Sequence, residues 1–184
     1  MNAIDLLLQR QSQPRLQSPA PTGEALEIIK QAAMRAPDHA CLAPWQFIIF
    51  EGENLPKLGQ IFEQSAIHNE ADDTARARAL QLPLRAPMVI VAATRYQENP
   101  KVPWIEQVES AACAVHAMQM AAFAQGFGAI WRTGSYAQCD VVKGALGIDL
   151  KDELVGFLYI GSTPLAPRER LSRDVSDHFT DWQG

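Results

Sequence analysis

The chain has 184 residues and a mass of 20.3 kDa, with 47% hydrophobic and 20% charged residues, a composition that excludes a disordered tail and fits one globular domain. A chain of this length buries about 70% of the surface its unfolded form exposes, so a core needs no disulfide or metal staple. The net charge of -5, from 16 basic and 21 acidic residues, argues against broad nucleic-acid binding and leaves any anionic ligand to a local cluster of arginines.

The first predicted element is a short helix over residues 2–9, read from its Ile4, Leu7 and Leu8 face. Its start lacks the basic stretch and cleavage site of an export signal, because Asp5 comes first and Arg10 follows the apolar patch. Cys41, Cys113 and Cys139 are too widely spaced for a redox pair or a zinc site, so free thiols in a cytoplasmic protein are expected. A polar, proline-broken segment follows from Arg10 to Pro21. Thr22 is the expected N-cap of a second helix, whose Leu26, Ile29 and Ala33 keep helical spacing until Pro37 disfavours helical geometry at Ala36. Residues 45–50 are aromatic and β-branched and read as a strand closed by Gly52, and Leu58, Ile61, Phe62 and Ser65 mark a further helix. The stretch 68–85 is charged and uneven, with Asp72 one turn before Arg76, and reads as a solvated excursion without chemistry. Residues 88–92 are apolar at both alternating sets of positions, the pattern of a strand covered on both faces.

The longest helix is expected over residues 105–125, apolar nearly all round and closed by Gly126. Residues 110–131 carry no formal charge and are long enough to span a bilayer, but His116, Gln119, Gln125, Gly126 and Gly128 interrupt them, so the segment reads as a core helix rather than a membrane span. Its seven alanines between Ala111 and Ala124 suit a closely packed neighbour, in the same chain or in a second copy. A short strand at 129–132, a helix at 141–146 and a buried strand at 154–160 complete one mixed helix-and-sheet layer structure. Beyond it, Phe179 and Trp182 give a polar tail two apolar anchors.

Three segments hold candidate chemistry. Arg10-Gln11-Ser12 joins a guanidinium fork to a hydroxyl just past a helix end, which suits phosphate oxygens, although an arginine there also serves the last-turn carbonyls. Arg35 and His39 bracket a loop shaped by Pro37 and Pro44, where His39 is either a donor to a ligand oxygen or a solvated loop histidine. Gly126 and Gly128, followed by Trp131-Arg132-Thr133, offer close backbone approach, an aromatic wall and a cation, or simply a helix end. The chain has no dinucleotide Gly-x-Gly-x-x-Gly, Walker loop, His-Glu-x-x-His or Gly-x-Ser-x-Gly. His68, His116 and His178 lack ligand spacing, His116 reads as a core histidine, and no metal is expected.

In this order the segments resemble the nitroreductase family of FMN-dependent oxidoreductases: an N-terminal helix, Arg10-x-Ser12, a loop ending at Pro44 to Phe47, an alanine-rich helix closed by Gln125 to Gly128, and a final strand at 155–161. The match spans nearly the whole chain and is closest to a small bacterial branch of NAD(P)H nitroreductases. It implies an α+β fold with a central mixed sheet flanked by helices, in a domain-crossed homodimer with one FMN in each interface site. Residues 1–163 would form the FMN-binding domain and residues 164–184 a tail packing on its own or the partner subunit. Arg10, Gln11 and Ser12 would hold the ribityl phosphate. Arg35 and His39, with His39 supplied across the interface, and Trp131, Arg132 and Thr133 would contact flavin. Ala121, Ala122, Phe123, Ala124, Gln125 and Gly126 match the stretch assigned to NAD(P). Gln11 stands where the family often has a cation, Pro14 where it often has a base, with Arg15 next to it, and Arg168 and Arg170 are alternative phosphate partners. The implied activity is ping-pong: NAD(P)H reduces flavin N5 and leaves, and a nitroaromatic or quinone-like acceptor takes its place, with no side chain as catalyst. A flavin-dependent dehydrogenase, a non-catalytic FMN-binding or sensing protein, and a cofactor-free helical module are the rival readings.

Overall fold

The computed structural model describes residues 1–164 and 174–184. Helix α1 (Ala3–Gln9) begins in a capping box, the Asn2 side chain accepting the Asp5 backbone N–H at 2.8 Å while the Asp5 carboxylate takes the Asn2 N–H. Its apolar face is left uncovered among the described residues: Ile4 and Leu7 are each 63% exposed and Leu8 71%. Thr22 occupies the N-cap of α2 (Gly23–Ala33), but its hydroxyl makes no capping bond. The helix stops short of Ala36 because Met34, Arg35 and Ala36 donate to carbonyls only three residues back, tightening the last turn.

Strand β1 (Trp45–Glu51) leads into α3 (Leu55–His68) and α4 (Asp73–Gln81). Asp72 caps α4 by accepting the Ala75 N–H at 2.7 Å, and Arg76 lies 3.7 Å from Asp73. Then come β2 (Met88–Thr94), α5 (Trp104–Ala124), β3 (Gly128–Arg132), α6 (Asp140–Ala145) and β4 (Leu154–Gly161).

The sheet order is β1-β2-β4-β3. Every neighbouring pair is antiparallel, a correction to the mixed sheet that the resemblance implies. The reason is topological: β2 and β3 run parallel through the α5 crossover, but β4 inserts between them. All of β2 and β4 is buried, because a helical layer covers each face. Val89, Val91, Phe157 and Tyr159 pack toward α3, α4 and α6, and Met88, Ile90, Leu158 and Ile160 toward α2 and α5.

Helix α5 buries Ala111, Ala114, Val115, Met118 and Ala122 at helical spacing, and Gly126 at φ +84 ends it. The opposite stripe, Ile105, Glu109, Cys113 and His116, is exposed. His116 therefore stands on an exposed face of the helix, not in the core as expected, with Arg10 at the end of α1 as its charged neighbour. Among the described residues no helix is long and apolar enough to cross a membrane. Phe179 and Trp182, the expected anchors, are 76% and 91% exposed among the described residues. Arg168 and Arg170 lie outside the described residues.

One buried carboxylate ties the strand ends together. Asp152 accepts the Tyr96 N–H at 2.6 Å, the Gln46 amide at 3.3 Å and the Thr94 hydroxyl at 3.4 Å, beside the register shift at Ala92/Ala93. Replacing it strands buried donors, so Asp152→Ala is expected to lower unfolding free energy by about 2–4 kcal/mol. The shift in urea midpoint at constant slope measures this.

Candidate active site

Strand alternation turns Ile130 and Arg132 toward the α3–α6 layer and Ala129 and Trp131 toward the α2–α5 layer. As β3 is an edge strand, its outer side is open to a ligand. The Trp131 indole N–H donates to the Val155 carbonyl at 3.2 Å, which fixes the ring across the sheet. The loop after α1 is laid along the same edge by the Gln13 N–H to the Ala129 carbonyl at 3.0 Å, and further on by paired backbone bonds between Gln17 and Ser162. A Cβ on Gly128 would stand 2.7 Å from Leu16 Cδ2 and 3.1 Å from Gln13 Cβ, so a larger residue there would push the Leu16 side chain and the loop outward.

Two adjoining hollows flank Arg132. The inner one, 450 Å³, has aromatic walls from Phe62, Tyr136, Phe157 and Tyr159, and Arg78, Arg85 and Arg132 also line it. Phe62 stacks on Tyr136 at 4.5 Å and meets Phe157 edge-on at 4.9 Å, so that wall is rigid. The outer hollow, 650 Å³, lies between Arg15, Arg85, Arg132 and Pro164. No carboxylate lines either one among the described residues. The Arg132 guanidinium sits 5.8 Å from the Tyr159 ring centroid, and its buried Nε has no acceptor. Burial pushes the Tyr159 phenol up to about 12 against the smaller pull of Arg132 and Arg85, so at neutral pH the phenol remains protonated.

The remaining expected site residues occupy two regions. Arg10 caps the C-terminal end of α1 next to α5, where burial and then the Arg10 guanidinium hold the His116 imidazole below the usual histidine value. Gln11 is buried and Ser12 exposed. These three share the segment that Gln13 joins to β3, and so lie on the side of the molecule that carries Trp131, Arg132 and the exposed Thr133. Arg35 and His39 sit at the N-terminal end of α5, since α2 and α5 run antiparallel: Gln125 donates to the Ala25 carbonyl at one end, and Ser110 Oγ to the Pro37 carbonyl at the other. His39 Nδ1 lies 2.9 Å from Glu106 Oε2, with both side chains well exposed. Its loop is strained, with positive φ at Ala40, Cys41 and Ala43, and is held by the Asp38 carboxylate accepting the Leu42 and Ala43 N–H groups. In the 121–126 stretch, Ala122 and Phe123 are buried, Ala121 and Gln125 half-buried, and Ala124 and Gly126 exposed.

Sequence reasoning missed Arg78 and Arg85, both in the stretch read as free of chemistry. They reach the hollow because α4 folds back on α3 through buried Ala79 and the chain then turns at buried Pro83 into β2. The signal available was one alanine and one proline among charges.

Among the described residues, an arginine cluster without a carboxylate, a buried donor without an acceptor and an aromatic wall are chemistry suited to a planar ligand with an anionic end, and FMN has that chemistry. The chain belongs to the nitroreductase family, whose model, "Nitroreductase family", matches residues 7–162. It is 49% identical over 165 residues, 90% of each chain, to "Putative NAD(P)H nitroreductase YdjA" of Escherichia coli (strain K12). Among solved structures, the nitroreductase-like family protein from Bacillus cereus aligns with a TM-score of 0.83 at 20% identity, covering 100% of this chain and 97% of that one. A nitroreductase with bound FMN from Bacteroides fragilis NCTC 9343 aligns with a TM-score of 0.74 at 19% identity, covering 100% of both.

Proposed function

We propose that the chain is an FMN-dependent NAD(P)H oxidoreductase that works as a cytoplasmic homodimer and reduces nitroaromatic or quinone-like acceptors by two electrons in a ping-pong cycle. The observation that carries this reading is the buried Nε of Arg132, which among the described residues has no acceptor and sits in an arginine groove without a carboxylate, beside Trp131. Bound FMN supplies the hydride-accepting and hydride-donating centre, alternating between NAD(P)H and acceptor.

The chain's own groups bind and orient. Arg10, Gln11 and Ser12 hold the cofactor from the loop along β3, and Trp131, Arg132 and Thr133 hold it from the strand itself. Arg35 and His39 contact the flavin, with His39 reaching the site of the partner subunit. Residues Ala121, Ala122, Phe123, Ala124, Gln125 and Gly126 form the stretch that serves NAD(P). A cation near the reduced ring stabilises negative charge there, a role open to Arg132. Two uncovered surfaces, the apolar face of α1 and the open stripe of α5, are what a twofold partner would bury. The exposed Phe179 and Trp182 suit a tail, from residue 164 on, that packs against that partner.

Anaerobic mixing of FMN-loaded protein with NADPH, and separately with NADH, tests the reading. The expected result is rapid loss of the oxidised-flavin band with one or both nucleotides. A band that persists with both would make the protein a non-catalytic flavin binder, and failure to take up FMN would leave a cofactor-free module.

A further inference from the structure

We propose that Glu106 is a positioning residue for His39: its carboxylate holds the imidazole in the form that carries its hydrogen on Nδ1, so that Nε2 is presented as a hydrogen-bond acceptor to a ring N–H of the cofactor. The assignment rests on the reading above, in which His39 contacts the flavin in the site of the partner subunit.

His39 and Glu106 come from different elements, the loop between α2 and β1 and the first turn of α5, and Nδ1 meets Oε2 at 2.9 Å. A carboxylate has no hydrogen to give, so the one in this contact belongs to Nδ1. In a neutral imidazole one ring nitrogen carries the hydrogen and the other a lone pair, and the bond made by the first decides which is which. Nε2 is therefore the acceptor. It has no partner among the described residues, in a side chain that is 62% exposed. The loop itself is held by other groups. Ser110, one turn after Glu106 on the same side of α5, donates its hydroxyl to the Pro37 carbonyl at 2.6 Å. The Asp38 carboxylate accepts the Leu42 and Ala43 N–H groups, and the Gln97 amide donates to the Leu42 carbonyl at 2.6 Å. With the backbone fixed in this way, Glu106 has only the ring left to orient. An exposed pair of this kind adds little to stability. What it removes is the rotation and tautomer exchange that an exposed imidazole otherwise keeps, a cost that binding would have to meet. The ring system of oxidised FMN carries a single N–H, the imide between two carbonyls, and an acceptor nitrogen matches it.

Two readouts test the assignment, both at about pH 8, above the ordinary histidine value. The first is the tautomer of His39 in FMN-loaded protein with isotope-labelled histidine, read from long-range proton–nitrogen NMR spectra and assigned by the signals that His39→Ala removes. The expected form has its hydrogen on Nδ1 and a bare Nε2. Hydrogen on Nε2, or an even mixture of the two forms, would overturn the assignment. The second is FMN affinity, titrated by flavin fluorescence. It is expected to fall about threefold to tenfold in Glu106→Ala, and to recover in part in Glu106→Gln, whose amide oxygen can still accept the Nδ1 hydrogen. In a His39→Ala background, Glu106→Ala should cost nothing more. An equal loss with and without His39, or no loss when His39 is present, would also overturn the assignment. Circular dichroism and thermal midpoints close to wild type check that the variants fold. Wild-type FMN affinity in His39→Ala would overturn the placing of His39 at the flavin, and wild-type protein that takes up no FMN would overturn the FMN reading itself, both distinct from a failure of Glu106 alone.

Discussion

Gly156→Ala is expected to be among the most damaging single-methyl additions in this protein. Gly156 sits inside β4 at φ +143, where L side chains are strained, and an added Cβ would stand 2.5 Å from Trp131 Nε1 and 2.6 Å from the Arg132 carbonyl oxygen. Strain at such a φ and overpacking each cost roughly 1–3 kcal/mol, so a loss of about 2–5 kcal/mol is expected from a domain with some 5–15 kcal/mol to lose. For a chain of this size that corresponds to a fall in Tm of about 5–15 °C. The atoms in the way are those of the candidate site. Relief by moving β3 shifts Trp131 and Arg132 together, so flavin affinity should fall along with stability. Gly144→Ala in α6 is the control: nothing lies within 4 Å of its added Cβ and its backbone is unstrained, so it should be neutral or slightly stabilising. Equal thermal midpoints for Gly156→Ala and Gly144→Ala would contradict the close contact between β4 and Trp131.

What the sequence disclosed follows from how each signal arises. Strands β2 and β4 were legible because a strand covered on both faces must be apolar at every position, and Met88–Thr94 is buried throughout. The long helix and its glycine stop were legible for the same kind of reason. Pairing direction was not, because the insertion of β4 between β2 and β3 leaves no local trace in either strand. His116 misled because an uncharged stretch of helix looks buried all round even when one of its faces is exposed. Arg132 was picked out by its place beside Trp131, whereas Arg85 was hidden in a charged stretch whose few buried residues, Ala79 and Pro83, decide where its arginines go. Tyr159 read only as one residue of a buried strand, and the cation over its ring becomes visible only when β3 and β4 are side by side.

A mixture of Arg10→Ala and His39→Ala proteins, dissociated and reassociated together, is expected to regain flavin sites that neither variant has alone. The expectation comes from α5. His39 is paired with Glu106 in the first turn of that helix, and Arg10 acts on His116, ten residues further on. At 1.5 Å per residue the two positions are about 15 Å apart along the helix axis. In the proposed dimer, a twofold axis crossing α5 midway between Glu106 and His116 would lay the His39 end of one chain against the Arg10 end of the other. Each site then draws Arg10 from one chain and His39 from its partner. Each pure variant lacks one group in both of its sites, so both should bind FMN weakly while remaining folded. In a random mixture half of the dimers are heterodimers, and each of these has one intact site and one doubly altered site. About a quarter of all sites should therefore regain wild-type affinity. Equilibrium titration of the mixture with FMN would resolve that fraction as a separate tight phase. A mixture that binds no better than the average of its two components would mean that Arg10 and His39 serve the same chain, and the shared site would have to be abandoned.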